Sequence, residues 1–173
     1  KGNEILITGF TSATVATGTV RKTLASTTAD TDFDEASYSD YRGYPQAITF
    51  HEDRLWLGGT TSQPDAIWSS KTSEYFNFDV GSASDSDSIQ MTINVGEFNN
   101  IRHLTANRDL QIFTTTSELY IPSFADKGLT PTNAQIRRQT PYGASFVKPL
   151  PFDGATLYVQ KTGKTIREYL FSD

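Results

Sequence analysis

Three segments of the chain repeat one plan. Ile48-Thr-Phe-His-Glu-Asp-Arg-Leu-Trp-Leu57 precedes a polar stretch and then Ala66-Ile-Trp-Ser-Ser70. His103-Leu-Thr-Ala-Asn-Arg-Asp-Leu-Gln-Ile-Phe113 precedes Glu118-Leu-Tyr-Ile121, and Pro149-Leu-Pro-Phe-Asp-Gly-Ala-Thr-Leu-Tyr-Val159 precedes Thr165-Ile-Arg-Glu-Tyr-Leu170. Each predicts strand, tight polar turn, apolar strand, short turn, strand. The anchors Leu55, Leu110 and Leu157 lie 55 and 47 positions apart. A period of roughly 40–55 residues made of short antiparallel strands is the mark of β-propeller blades. The predicted fold is therefore all-β: an incomplete β-propeller-like fragment of about three blades, at residues 43–98, 99–145 and 146–173, with an N-terminal β-hairpin. Propellers close with about four to eight blades, so the sequence reads as part of a longer protein.

Composition supports a folded β domain. The 173 residues suffice for one real core. Only 36% are hydrophobic, but 11 Phe and 8 Tyr add bulk to it. No apolar run approaches the ~20 residues of a membrane helix. Cysteine is absent, which excludes disulfides, thiolate catalysis and cysteine-type zinc sites. The net charge of −5 argues against a dedicated nucleic-acid-binding domain, which needs a basic surface. A weakly acidic wall suits a surface that DNA slides past.

Residues 1–42 predict a hairpin followed by a long acidic connection. Glu4 to Phe10 and the β-branched run Thr14 to Arg21 form its strands, with a turn at residues 11–13. Ile89, Met91, Ile93 and Val95 alternate with Gln90, Thr92 and Asn94, which predicts a half-buried strand. Another strand is predicted at residues 134–139. No segment predicts a helix longer than one turn.

Candidate sites are sparse. Asp30, Asp32 and Asp34 open like a calcium loop, but Glu35 and Tyr41 stand where glycine and an acidic ligand belong. Asp79, Asp85 and Asp87 are the remaining metal candidates; turn chemistry, with side chains satisfying loose backbone donors, is the favoured reading. His51 and His103 have no second histidine at ligand spacing, and no Gly-x-Ser-x-Gly elbow exists. His51 begins a turn and is expected to be exposed. Glu52 and Asp53 form a carboxylate pair of the kind common in surface turns. No catalytic residue or cofactor is predicted. A hydrolase would need a histidine or a carboxylate pair meeting in a pocket. Arg137, Arg138 and Lys148 are candidate contacts for DNA phosphate or a partner, against ordinary strand-edge charge. Trp56, Trp68, Tyr75 and Phe76 would stack sugars in a carbohydrate- or receptor-binding module if they shared an exposed groove. Cross-strand packing inside one blade is the competing reading for the tryptophans.

A longer pattern runs through the chain. Gly43-Tyr-Pro-Gln-Ala-Ile-Thr-Phe-His-Glu-Asp-Arg-Leu-Trp-Leu-Gly-Gly59 is followed by Gln63-Pro-Asp-Ala-Ile-Trp-Ser-Ser70 and Tyr75-Phe-Asn-Phe78. Asp85-Ser-Asp-Ser-Ile89, Ile101-Arg-His-Leu104, Glu118-Leu-Tyr120 and Leu129-Thr-Pro-Thr-Asn-Ala-Gln-Ile-Arg-Arg-Gln-Thr-Pro-Tyr-Gly143 come next. This ordered series resembles the tail hub or nozzle proteins of short-tailed phages, also called tail tubular protein B or packaged-DNA stabilisation proteins. The resemblance runs from about Gly43 to Asp173 and fits the hairpin loosely. It implies a structural virion protein of the phage tail, made in the host cytoplasm, without catalytic residues or cofactor. It also implies a β-propeller base, a homo-oligomeric ring, portal and adaptor neighbours, and passage of double-stranded DNA without sequence specificity. Whole members of that family are several times longer.

Overall fold

The computed structural model describes residues 4–24, 26–28, 35–124 and 127–170. Among them the chain is all-β, and no helix is long and apolar enough to cross a membrane. Several small antiparallel sheets form, and none closes on itself.

The chain divides into two compact units between Ala36 and Ser37, ahead of the expected boundary at residue 42. The difference has a packing cause. Tyr38 stands edge-on to Trp68 and Phe78 at 6.0 and 6.4 Å, which ties this stretch to the larger unit.

The smaller unit is a hairpin of β1 (Glu4–Ser12) and β2 (Val15–Lys22). Its register slips at three places, where one strand carries an extra residue.

The larger unit holds three sheets. β3 (Ala47–His51), β4 (Arg54–Gly58), β5 (Ala66–Ser69) and β6 (Gln90–Thr92) run antiparallel in chain order. β7 (Ile101–Ala106), β8 (Leu110–Thr114), β9 (Glu118–Ile121) and β10 (Arg137–Thr140) do the same. β11 (Leu150–Phe152), β12 (Ala155–Val159) and β13 (Ile166–Tyr169) make a third sheet of three strands. The strand–turn–strand–turn–strand plan of the three sequence segments corresponds to the first three strands of each sheet.

The tight turns are left-handed in two of the sheets. Glu52 and Asp53 have φ of 47° and 56°, and Asp153 and Gly154 have 46° and 80°. Positive φ at both central residues matches the twist of a two-residue hairpin. Asp-Gly adopts this freely; Glu52 does not. Side-chain bonds hold the first turn instead. Glu52 accepts the Leu129 N–H at 2.6 Å, and Asp53 accepts the hydroxyls of Tyr75, at 2.8 Å, and Ser73.

Period-2 alternation on each strand sets the layering. Trp56 and Ile67, with Ile89 and Ile93 flanking β6, meet Ile101, Leu104, Leu110, Ile112, Leu119 and Ile121 of the second sheet in one apolar core. The opposite face of β8 carries Phe113, which packs with Ala144, Tyr158 and Tyr169 against the third sheet. The middle sheet is thus covered on both faces. That is why Leu110-Gln-Ile-Phe-Thr114 is buried throughout, the polar Gln111 and Thr114 included.

Candidate functional site

The first expected site is the loop at residues 79–88. It folds around Asp87, whose carboxylate accepts Lys71 Nζ at 2.8 Å and the backbone N–H groups of Ser82 and Ser84 at 3.1 and 2.8 Å. Those partners hold the carboxyl below its usual range, the Lys71 bond first. Asp79 accepts the Gly81 N–H at 3.2 Å. Asp85 contributes its carbonyl rather than its carboxylate. It receives Arg54 Nη2 at 2.7 Å, while Arg54 Nη1 donates to the carbonyls of Ser70 and Asp87 at 2.9 and 2.6 Å. Arg54 is 1% exposed. The three aspartates do not converge on one point, and among the described residues no group of three or more His, Asp or Glu could hold a metal. The geometry is a braced loop. Asp30, Asp32 and Asp34 lie outside the described residues.

Sequence reasoning missed Arg54. It sits beside a turn, where an arginine reads as solvent-exposed, and nothing local marks the three carbonyls it gathers.

The aromatic set does not form a platform. Trp56 and Trp68 are buried. They also lie on opposite faces of their sheet, because Trp56 pairs with Ser69 and Trp68 with Leu57. The two rings therefore do not pack across neighbouring strands. Trp56 Nε1 donates to the His51 carbonyl at 3.2 Å. Tyr75 stands edge-on to Phe50 at 5.2 Å, and Phe76 is exposed.

The expected basic contacts separate. Arg137 and Arg138 are exposed on β10, at one edge of the middle sheet. Lys148 is exposed beside His103 of β7, on the opposite edge. Three strand spacings of about 4.8 Å keep the two apart. Near Lys148, the Arg102 guanidinium covers the Phe146 ring at 3.6 Å, and His103 Nε2 contacts the Ser145 carbonyl at 3.2 Å. Burial, with help from Arg102 and Lys148, keeps His103 below its ordinary pKa.

His51 is buried, not exposed, because the chain after β9 covers it. Its Nε2 lies 2.9 Å from Ser123 Oγ. A serine–histidine pair invites a catalytic reading, and the third member decides it. In a triad the carboxylate orients the imidazole through the nitrogen facing away from serine. Here Glu52 Oε1 approaches the same Nε2, at 4.0 Å, and Asp109 takes the Ser123 N–H at 2.9 Å. Among the described residues no carboxylate is hydrogen-bonded to the His51 ring, and Asp109 instead holds the Ser123 backbone. Burial lowers the His51 pKa, which suits a packed neutral ring.

The chemistry sequence reasoning did not see lies between the second and third sheets. Glu118 is 0% exposed there. Its Oε2 accepts Thr140 Oγ1 at 2.5 Å and the Tyr142 N–H at 3.3 Å, while its buried Oε1 has no hydrogen-bond partner among the described residues. Burial outweighs these donors and raises the Glu118 pKa. Burial also raises Tyr158 and Tyr169, with Glu118 adding to both. At the outer rim of this seam the Arg167 guanidinium covers the Tyr142 ring at 3.5 Å, and its Nε donates to Gln160 Oε1 at 2.9 Å. An open cleft runs from there along β13, lined by Gln139, Tyr142, Ile166, Glu168 and Leu170 among others.

No family model and no curated protein matches the chain.

Proposed function

We propose that the chain is a non-catalytic structural part of a phage tail. It would form a wall segment of the hub or nozzle conduit that retains the packaged DNA and then releases it. One observation carries this reading. The segments that resemble the tail hub family hold the residues that brace the sheets. Gly43 to Ser70 contains Arg54; Asp85 to Ile89 contains Asp87; Glu118 to Tyr120 and Leu129 to Gly143 contain the buried carboxylate and its partners Thr140 and Tyr142. What the chain shares with that family is then a way of building a stiff wall, not a reactive centre.

The sheet arrangement supports the finer reading of propeller-like blades. Two four-stranded antiparallel sheets and a third follow one another in chain order, each packed on the next. In the assembled virion the partners would be further copies in a ring, portal and adaptor proteins, and double-stranded DNA passing without sequence specificity. The weakly acidic charge keeps a polyanion from sticking. The competing carbohydrate-binding reading needed Trp56, Trp68, Tyr75 and Phe76 in one exposed groove; Tyr75 and Phe76 are exposed, but both tryptophans are buried.

A stop codon placed early in this reading frame of the phage tests the proposal. Particles made in a non-suppressing host should fill with DNA and fail to hold it, and antibody to the chain should label the tails of wild-type particles. Mutant particles with normal tails and normal DNA retention would overturn it.

A further inference from the structure

Three cations of the larger unit serve the fold. Arg54 gathers carbonyls, Lys71 meets Asp87, and Arg167 donates to Gln160. Arg102 and Lys148 do not. Among the described residues neither side chain has a hydrogen bond or an ion pair, and Arg102 Nε is buried without an acceptor. Arg102 lies on β7, and the link from β10 to β11 brings Lys148 beside it. That link is fixed at four points. Ala144 N–H donates to the Thr114 carbonyl and Ser145 N–H to the Val159 carbonyl, both at 2.8 Å. Val147 N–H donates to Ser145 Oγ at 3.1 Å, which tightens a turn. The His103 ring donates to the Ser145 carbonyl at 3.2 Å.

The fixed turn sets Phe146 against Arg102, whose guanidinium stands 3.6 Å from the ring centroid. The ring holds one face of the guanidinium and the protein covers Nε, which leaves the two Nη groups as a fork for a ligand. The local field is positive. The charges acting on His103 are those of Arg102 and Lys148, and no carboxylate joins them. Elsewhere the chain is acidic, with 20 Asp and Glu against 15 Lys and Arg. The surface is open, since Phe146 and Val147 are 77% and 57% exposed. An open pair of cations holds one small anion poorly. A chain of phosphates meets both at once and releases its counterions, and a guanidinium fork matches two phosphate oxygens.

We infer that Arg102 and Lys148 contact the phosphate backbone of duplex DNA, with Phe146 and His103 as positioning residues. The kind of anion rests on the tail reading, and the place rests on the geometry. Contacts of this kind carry no sequence information. Two of them against a net charge of −5 make a touch point that a moving duplex can leave.

Fluorescence anisotropy of a labelled mixed-sequence duplex with the purified chain tests the inference. It needs no phage particle, so its outcome is separate from that of the stop-codon experiment. At low salt the chain should bind, and two phosphate contacts give a log–log salt slope of about −1.8. Arg102→Gln combined with Lys148→Gln should weaken binding about ten-fold or more, with unchanged circular dichroism. Lys148→Gln alone, at an exposed position without contacts, should flatten the slope by about 0.9. Phe146→Leu keeps both charges and should weaken binding with the slope unchanged, which marks a positioning role. Arg137→Gln with Arg138→Gln, on the far edge of the sheet, should bind as wild type does. A wild type that does not bind at low salt would overturn the inference. So would a slope that Lys148→Gln leaves unchanged, or a loss that follows Arg137 and Arg138 instead. Poly-glutamate held as tightly as the duplex would overturn the choice of phosphate and point to an acidic protein partner.

Discussion

The face of β8 carrying Leu110 and Ile112 meets another apolar face, while its other face carries Phe113 and meets two tyrosines beside a buried glutamate. One sheet thus makes two unlike seams. The first is held by burial of aliphatic side chains, which acts without direction and scales with area. The second is small and depends on placement. Phe113 lies 5.2 and 5.8 Å from the rings of Tyr158 and Tyr169, and Glu118 needs Thr140 and Tyr142 where they are. A seam of the first kind resists pH. A seam of the second kind responds to one proton.

The most damaging substitution belongs to the first seam. Ile112→Asp puts a carboxylate among aliphatic side chains with no donor provided, at a site that is 0% exposed. The cost is several kcal/mol, a large share of the roughly 5–15 kcal/mol that holds a domain together. The chain should lose its cooperative thermal transition by circular dichroism. Thr92→Asp, on an exposed strand position, should shift stability by no more than about 0.5 kcal/mol. Similar melting of the two variants would mean that the strand faces are assigned wrongly.

Placement in the second seam can be separated from backbone strain by two glycines. Gly143 and Gly154 have φ of 75° and 80°. A Cβ at Gly154 meets nothing within 4 Å, so Gly154→Ala carries the left-handed penalty alone, about 1 kcal/mol. A Cβ at Gly143 would lie 2.3 Å from the Thr115 carbonyl oxygen. Gly143 also accepts the Lys161 N–H at 2.9 Å, and Ala144 donates to Thr114 at 2.8 Å, so this strap ties the second sheet to the third. Gly143→Ala should cost about 2 kcal/mol more than Gly154→Ala in urea unfolding, in the range of overpacking. Equal costs would mean that the strap is slack.

The same contrast explains what was legible in the sequence. Aliphatic alternation is a local signal, and the burial of Ile89 and Ile93 beside exposed Gln90 and Thr92 follows it. Alternation does not write the ladder. The strand there runs only from Gln90 to Thr92, although single in-register bonds continue past both ends, from the Ile93 N–H to the Asp65 carbonyl at 3.0 Å and from the Ser69 N–H to the Ile89 carbonyl at 2.7 Å. β10 likewise covers Arg137–Thr140 rather than residues 134–139, because the Ala134 N–H closes a turn on Thr130 at 3.1 Å. Register decided the tryptophans, since a shift of one residue exchanges the faces of a strand. Glu118 was out of reach. A glutamate in a strand reads as exposed, and the donors that make its burial tolerable come from Thr140 and Tyr142, more than 20 residues along the chain.

The smallest expected effect is also the one that distinguishes the seams most directly. Burial raises the Glu118 pKa above its ordinary value of 4.5. Between the unfolded and folded values the native chain binds the extra proton. Stability from this group is therefore fully present below about pH 4.5 and is lost as pH rises through the folded value. His51 and His103 act oppositely. Their pKa values are lowered, so their contribution is present above about pH 6.5 and falls as pH drops through the folded values. Glu118→Gln isolates the first slope. The amide oxygen can still accept from Thr140 and Tyr142, and no charge is left in the seam. The variant should be more stable than wild type at pH 8, by about 1 kcal/mol, and the advantage should vanish near pH 4. Urea unfolding of both chains at the two pH values measures it, with the histidine slope common to both and cancelling. A constant difference across pH would show that Glu118 stays ionised, held by its donors, and the second seam would then be as indifferent to protons as the first.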